Sequence, residues 1–145
     1  MRLAGLALAC VMLAGCPGPV RPRSPLAGLA KPDGTRLVSD ARPAVVAFWA
    51  DWAPPCSSLL AELPSLAGRA RVIAAFAGEY QLGVEARAAG LEFALAGDSL
   101  LRSLGIRVLP TVLVLDKSGA SAGRFEGASP AVCSLVAAAV DSISR

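Results

Sequence analysis

Phe48-Trp49-Ala50-Asp51-Trp52-Ala53-Pro54-Pro55-Cys56 joins two elements of different kinds. Upstream, Ala44 to Ala50 is a continuous apolar run that includes Val45, Val46, Phe48 and Trp49. A run that short, apolar on both faces, is the pattern of a parallel strand buried between two layers. Downstream, Cys56, Leu59, Leu60 and Leu63 fall at i, i+3, i+4 and i+7, the apolar stripe of an amphipathic helix. Pro54-Pro55 stands where a helix tolerates proline, at its start. Pro64 is expected to kink or divide the helix. The stretch reads as strand, tight loop and helix N-terminus, with its one thiol, Cys56, on the apolar side.

Working outward, the same two periodicities recur. Pro32-Asp33-Gly34 reads as a turn, followed by a short strand around Thr35–Val38. Val72–Ala77 and Val112–Leu115 are two more short apolar runs, read as buried strands. Glu79–Ala89 has helical composition, with Gly90 as its stop. Leu91, Phe93 and Leu95 alternate as a strand does. Asp98 is expected to cap a short helix reaching Leu104 and ended by Gly105. Asp116-Lys117-Ser118-Gly119 has hairpin-turn chemistry, and its partner strand runs to about Phe125. Ser129-Pro130 reads as an N-cap followed by an N1 proline. Val132, Leu135, Val136, Ala139, Val140 and Ile143 then trace one helical stripe, with Cys133 a step off it. Strands alternating with helices and closed by a hairpin imply an α/β fold: a mixed central sheet flanked by helices on both faces.

Composition narrows the chemistry. The chain has 145 residues, 54% hydrophobic and 17% charged, which suits one domain with one core. Its net charge of +3 comes from scattered residues with no basic run, so no nucleic-acid partner is expected. There is no histidine, which excludes Ser–His and Cys–His catalysis and histidine-ligated metals. Cys10, Cys16, Cys56 and Cys133 form no CxxC pair, so no metal site and no dithiol pair is expected, and no cofactor is implied.

The N-terminus carries an address. Arg2 precedes an eleven-residue apolar run, Leu3 to Leu13, which fits a signal segment and is too short to span a bilayer. Leu13-Ala14-Gly15-Cys16 resembles a bacterial lipobox. The resemblance implies cleavage of residues 1–15, lipidation of Cys16 and a membrane lipid anchor through that residue. Residues 16–25, with Pro17, Pro19, Pro22 and Pro25, read as a stiff extended tether. Residues 26–145 then form the domain, lipid-anchored in the bacterial cell envelope on the extracytoplasmic (periplasmic) side.

The stretch from Phe48 to Cys56 resembles the active-site segment of thioredoxins. Its nearest form is the Phe-Trp-Ala-x-Trp-Cys-Pro-Pro-Cys of the TlpA/ResA type of membrane-anchored thiol–disulfide proteins. Glu62-Leu63-Pro64-Ser65-Leu66 resembles that family's first long helix, although Pro64 lies about three residues later than usual. Gly105 to Thr111 resembles the loop bearing its cis-proline, here Pro110. Asp116 to Gly119 matches its hairpin turn, and Gly127 the glycine after its last strand. The resemblance implies a thioredoxin fold over nearly all of the domain. It also implies an active-site region built from Trp52, Ala53, Pro54, Pro55, Cys56 and Pro110.

The departure from the family lies in the chemistry. By the resemblance, Ala53 occupies the place of the nucleophilic cysteine, and Cys56 that of the resolving one. Ala47 replaces the buried Asp or Asn that precedes Phe-Trp in the family. Two functions follow as expectations. One is a binding module, in which a protein or peptide partner lies in the groove at Trp52 and Pro110 without redox chemistry. The other is monothiol exchange or reductase activity with Cys56 as residual catalytic residue. Asp51 and Glu62 read as solvated charges. Cys133 reads as a packing residue, not bonded to Cys56.

Overall fold

A computed structural model describes residues 24–53 and 55–145. The signal segment 1–15, Cys16, the tether as far as residue 23, and Pro54 lie outside the described residues.

Five strands form one mixed sheet in the order β3-β2-β1-β4-β5. β1 (Ala44–Trp49) lies in the centre, parallel to β2 (Arg71–Phe76) and antiparallel to β4 (Thr111–Leu115). β3 (Glu92–Leu95) extends the parallel half, and β5 (Ser121–Glu126) closes a hairpin with β4. All six residues of β1 and all five of β4 are buried, because layers cover both faces. Side chains alternate across a strand. Val45, Ala47 and Trp49 therefore enter one core with Phe76 and Val112, while Val46 and Phe48 enter the other with Ile73 and Leu113.

The first core lies under α1 (Pro55–Glu62) and α3 (Ala131–Ile143), through Leu59, Leu60, Val132, Val136 and Val140. Val132, Val136 and Val140 recur at a four-residue spacing and stay on one face of α3. Leu135, expected in that stripe, is exposed instead. Pro64 divides its helix as its missing N–H requires: α1 stops at Glu62 and the chain continues as a 3-10 turn, Leu63–Leu66.

The second core is covered by less regular structure. Leu26, Leu29 and Leu37 come from the N-terminal segment, and Leu100, Leu101 and Leu104 from and just after α2 (Asp98–Ser103). The strand expected at Thr35–Val38 is not one. Only an isolated bridge between Ala30 and Arg36 forms there, and among these four residues Leu37 alone is buried. The N-cap of α2 is Gly97, with Asp98 as the first helical residue.

The helix expected over Glu79–Ala89 shrinks to a 3-10 turn, Val84–Ala88. Gly83 and Ala89 bracket it at φ 92° and 54°, left-handed values that interrupt a helix at both ends.

The chain enters the fold at Ser24, whose hydroxyl accepts from the Leu26 N–H and caps the turn Pro25–Gly28. Ser24 packs on Gly119 in the β4–β5 hairpin, where a Cβ would stand 2.6 Å from the Ser24 Oγ. Gly119 also has φ 83°. A left-handed backbone at a non-glycine residue costs about 1–2 kcal/mol. Gly119→Ala is therefore expected to lower unfolding stability by at least that amount in urea titration. Gly68→Ala, at ordinary φ with open space around it, is expected to leave stability within about 0.5 kcal/mol.

Candidate functional site

The site forms where β1 ends. Ala77 donates its N–H to the Trp49 carbonyl at 2.7 Å, which holds the end of β1 against the continuation of β2. The chain then folds over itself. The Ala53 N–H reaches the Ala50 carbonyl at 3.3 Å, and the Cys56 N–H reaches the Ala53 carbonyl at 3.0 Å. These two turns swing the chain from strand into α1 and separate the side chains by environment. Trp52 is left 70% exposed, Ala53 is half-buried, Pro55 is exposed and Cys56 is 1% exposed.

Cys56 sits in the first core with Trp49, Leu59, Leu60 and Leu63, as its place in the helical stripe requires. Burial raises its pKa above the ordinary thiol range, because a thiolate there loses its hydration. A backbone hydrogen bond from Ala50 pulls the other way and is outweighed. Ala47, fully buried in the same core, adds no proton acceptor. The site's thiol is therefore a protonated, covered group at neutral pH.

Pro110 lies at the same end of the sheet, directly before β4, and the Leu109–Pro110 peptide is cis. Three contacts fix its loop. The Gly127 N–H donates to the Pro110 carbonyl at 2.8 Å. The buried Thr111 hydroxyl donates to the Val108 carbonyl at 2.6 Å. Arg124 donates to the carbonyls of Leu104 and Gly105, tying the start of the loop to β5. Pro110 is buried, and Val108 beside it is 44% exposed.

The cavity at Cys56 was not foreseen from the sequence. A cleft of about 470 Å³ opens on Trp49, Ala53, Cys56 and Leu60, with Asp51 and Arg87 also on its walls. Trp52 and Pro110 are not among its lining residues. Asp51, expected as a solvated charge, thus also lines a cleft. Arg87 arrives from the 3-10 turn 84–88, more than thirty residues along the chain, so no local pattern announces it. Glu62 likewise has a neighbour: Cys133 is half-buried in α3, and burial followed by the Glu62 carboxylate raises its pKa. Cys56 and Cys133 are both free. Among the described residues no three His, Cys, Asp or Glu side chains cluster as metal ligands.

A five-stranded mixed sheet with this strand order, a helix leaving the central strand and a cis-proline before β4 defines the thioredoxin fold, and solved structures agree. A Chlorobium tepidum protein assigned as a thiol:disulfide interchange protein, DsbE, superposes with a TM-score of 0.66 at 20% identity, over 81% of this chain and 92% of that one. The pneumococcal exposed lipoprotein thioredoxin Etrx1 of Streptococcus pneumoniae gives 0.58 at 18% identity, over 79% and 96%. A secreted Mycobacterium tuberculosis disulfide oxidoreductase homologous to the DsbE of E. coli gives 0.60 at 16% identity, over 81% and 97%. No family model matches the sequence, and no curated protein matches it either.

Proposed function

We propose that this protein is a TlpA/ResA-type thioredoxin-fold lipoprotein of the bacterial cell envelope that has lost dithiol chemistry and binds polypeptide at the Trp52/Pro110 groove. The observation that carries this reading is the state of the site's thiol. Cys56 is 1% exposed and shifted toward its protonated form, and the residue three positions before it is alanine. A dithiol cycle needs an exposed thiolate to attack and a second thiol to resolve. What remains for binding is exposed apolar surface: Trp52 is 70% exposed and Val108, in the loop before β4, is 44% exposed. Peptide main chain would add to the loop before β4 as an extra strand does.

The second reading is monothiol exchange through Cys56. One observation favours it: the cleft at Cys56 gives a partner a route toward the sulfur. Trapping in the native envelope separates the two. Capture of a partner equally by wild type and Cys56→Ser, through a photoreactive cross-linker near Trp52, is the result expected for a binding module. Partners released by reductant and lost in Cys56→Ser would establish monothiol exchange.

Extracytoplasmic placement is supported by the lipobox-like Leu13-Ala14-Gly15-Cys16 and by similarity to an exposed lipoprotein and a secreted protein. Among the described residues no helix is long and apolar enough to cross a membrane. More than one acyl chain gives stable anchoring. Mass spectrometry of the membrane fraction is expected to find Cys16 as a lipidated N-terminus. A soluble product that keeps Met1 to Gly15 would overturn the anchor.

A further inference from the structure

Arg42, Arg69, Arg71 and Arg124 are each paired with a carboxylate. Arg87 shares its cleft with Asp51. Arg36 differs. Among the described residues it has no carboxylate partner, and its guanidinium donates only to the Gly28 carbonyl, at 3.4 Å. It stands on the wall of a cavity of about 590 Å³ between the N-terminal segment and α2, within the usual range of ligand pockets. No acidic side chain lines that cavity. Asp33 and Asp98 neighbour lining residues in the chain but are not part of the wall, and the Asp33 carboxylate is occupied by the Thr35 N–H at 2.8 Å. The cavity therefore carries one cation with nothing to balance it, and an anion is the complementary occupant.

The other walls say which anion. Ala30, Leu95 and Leu100 are apolar, and Ser99 and Ser103 bring hydroxyls from α2. The Ser99 hydroxyl has no hydrogen bond among the described residues and is free to donate. The Ser103 hydroxyl already donates to the Leu100 carbonyl at 2.8 Å, so its oxygen is left to accept. A guanidinium fork takes two oxygens of a carboxylate or a phosphate. A carboxylate then has no third oxygen for Ser99, whereas a phosphate has. The oxygen of Ser103 calls for a hydroxyl on the ligand, and the leucines cover its carbon atoms.

We infer that the cavity between Arg36 and α2 is a binding site for a polyol phosphate, of which glycerol phosphate is the simplest form. The same chemistry is offered by a free metabolite and by the headgroup of a glycerophospholipid. The site is separate from Cys56 and Pro110, and the inference does not depend on the polypeptide-binding reading.

The test is calorimetric titration of the full chain, extracted from its envelope in an uncharged detergent. Glycerol 3-phosphate probes the free source and dihexanoyl-phosphatidylglycerol the lipid source. Glycerol and glycerate are controls, the first without an anion and the second with a carboxylate in place of the phosphate. At least one phosphate probe is expected to bind at millimolar concentration or below, and more tightly than either control. Arg36→Gln is expected to weaken that binding about tenfold or more, the scale of a lost charge-assisted hydrogen bond. Ser99→Ala is expected to weaken it about two- to fivefold, the scale of a neutral one. Gly97→Leu is expected to fill the cavity and abolish binding. Gly97 has an ordinary φ of −75° and open space at its Cβ, and Arg36 and Ser99 are exposed, so the three variants are expected to fold, checked by circular dichroism. Arg102→Gln, exposed on α2 but outside the cavity wall, is expected to leave the affinity unchanged. Arg36-dependent binding of the lipid probe alone would assign the site to a membrane headgroup, and of glycerol 3-phosphate to a soluble metabolite. Glycerate binding as tightly as the phosphate probes would overturn the phosphate assignment. The site itself is overturned if neither phosphate probe binds at millimolar concentration, or if binding is the same in Arg36→Gln and Gly97→Leu as in the wild type.

Discussion

With dithiothreitol as donor, the purified domain is expected to reduce insulin disulfides no faster than the uncatalysed reaction. The expected loss is complete because two requirements fail together. Cys56 is covered and its pKa is raised by burial, so its thiolate fraction at pH 7–8 is below that of a free cysteine. A mixed disulfide formed there would also have no neighbouring thiol to resolve it, since Ala53 holds the facing position. Raising the pH works against burial and increases the thiolate fraction, so any residual reactivity grows toward alkaline pH. Robust turnover at neutral pH, abolished by Cys56→Ser, would establish the monothiol enzyme and remove the binding-module reading.

The second large effect is a gain. Ala53→Cys is expected to create an intramolecular disulfide with Cys56 and measurable insulin reduction. The Cys56 N–H already reaches the Ala53 carbonyl at 3.0 Å, the bond of a tight turn. Such turns bring the first and fourth Cα atoms within about 7 Å. Disulfides span Cα separations of about 4.4–6.8 Å, so the turn lies within bridging range. The new thiol would precede α1, where the helix N-terminus favours a thiolate. The gain is expected to be partial, because Ala47 gives no buried proton acceptor. Oxidation with diamide, read by mass spectrometry, checks the bond. Two thiols that stay reduced in a folded variant would show that the turn no longer has the geometry of a two-cysteine site.

These expectations rest on parts of the molecule that the sequence made legible to different degrees. Val45 to Trp49, Val72 to Phe76 and Val112 to Leu115 announce the three central strands because both of their faces are buried, and continuous apolar runs follow. Cys56 announces its burial through its spacing from Leu59, Leu60 and Leu63. The turn at 84–88 stays hidden because Glu, Ala and Arg favour helix locally, while Gly83 and Ala89 take left-handed φ values that only the packed fold imposes. Leu37 carries the N-terminal segment into the second core without a ladder, so the turn at Pro32-Asp33-Gly34 is not followed by the strand expected at Thr35–Val38. The cleft is hardest to read. It exists only because the turn bearing Arg87 packs beside the Ala50–Cys56 segment, and no periodicity encodes a contact between segments so far apart.

The seat of Ser24 on Gly119 fixes more than an entry point. β1 starts at the hairpin end of the sheet and finishes at Trp49, five residue steps or about 17 Å away. Ser24, where the described chain begins, therefore lies at the pole opposite Trp52 and Pro110. With Cys16 as the proposed anchor, the eight residues 16–23 have a contour of at most about 28 Å. Under that proposed anchoring, the bilayer would lie toward the Ser24 pole, and the Trp52 and Pro110 pole would be the one farther from it. A partner of the proposed Trp52/Pro110 groove would then meet the domain from the side away from its point of attachment.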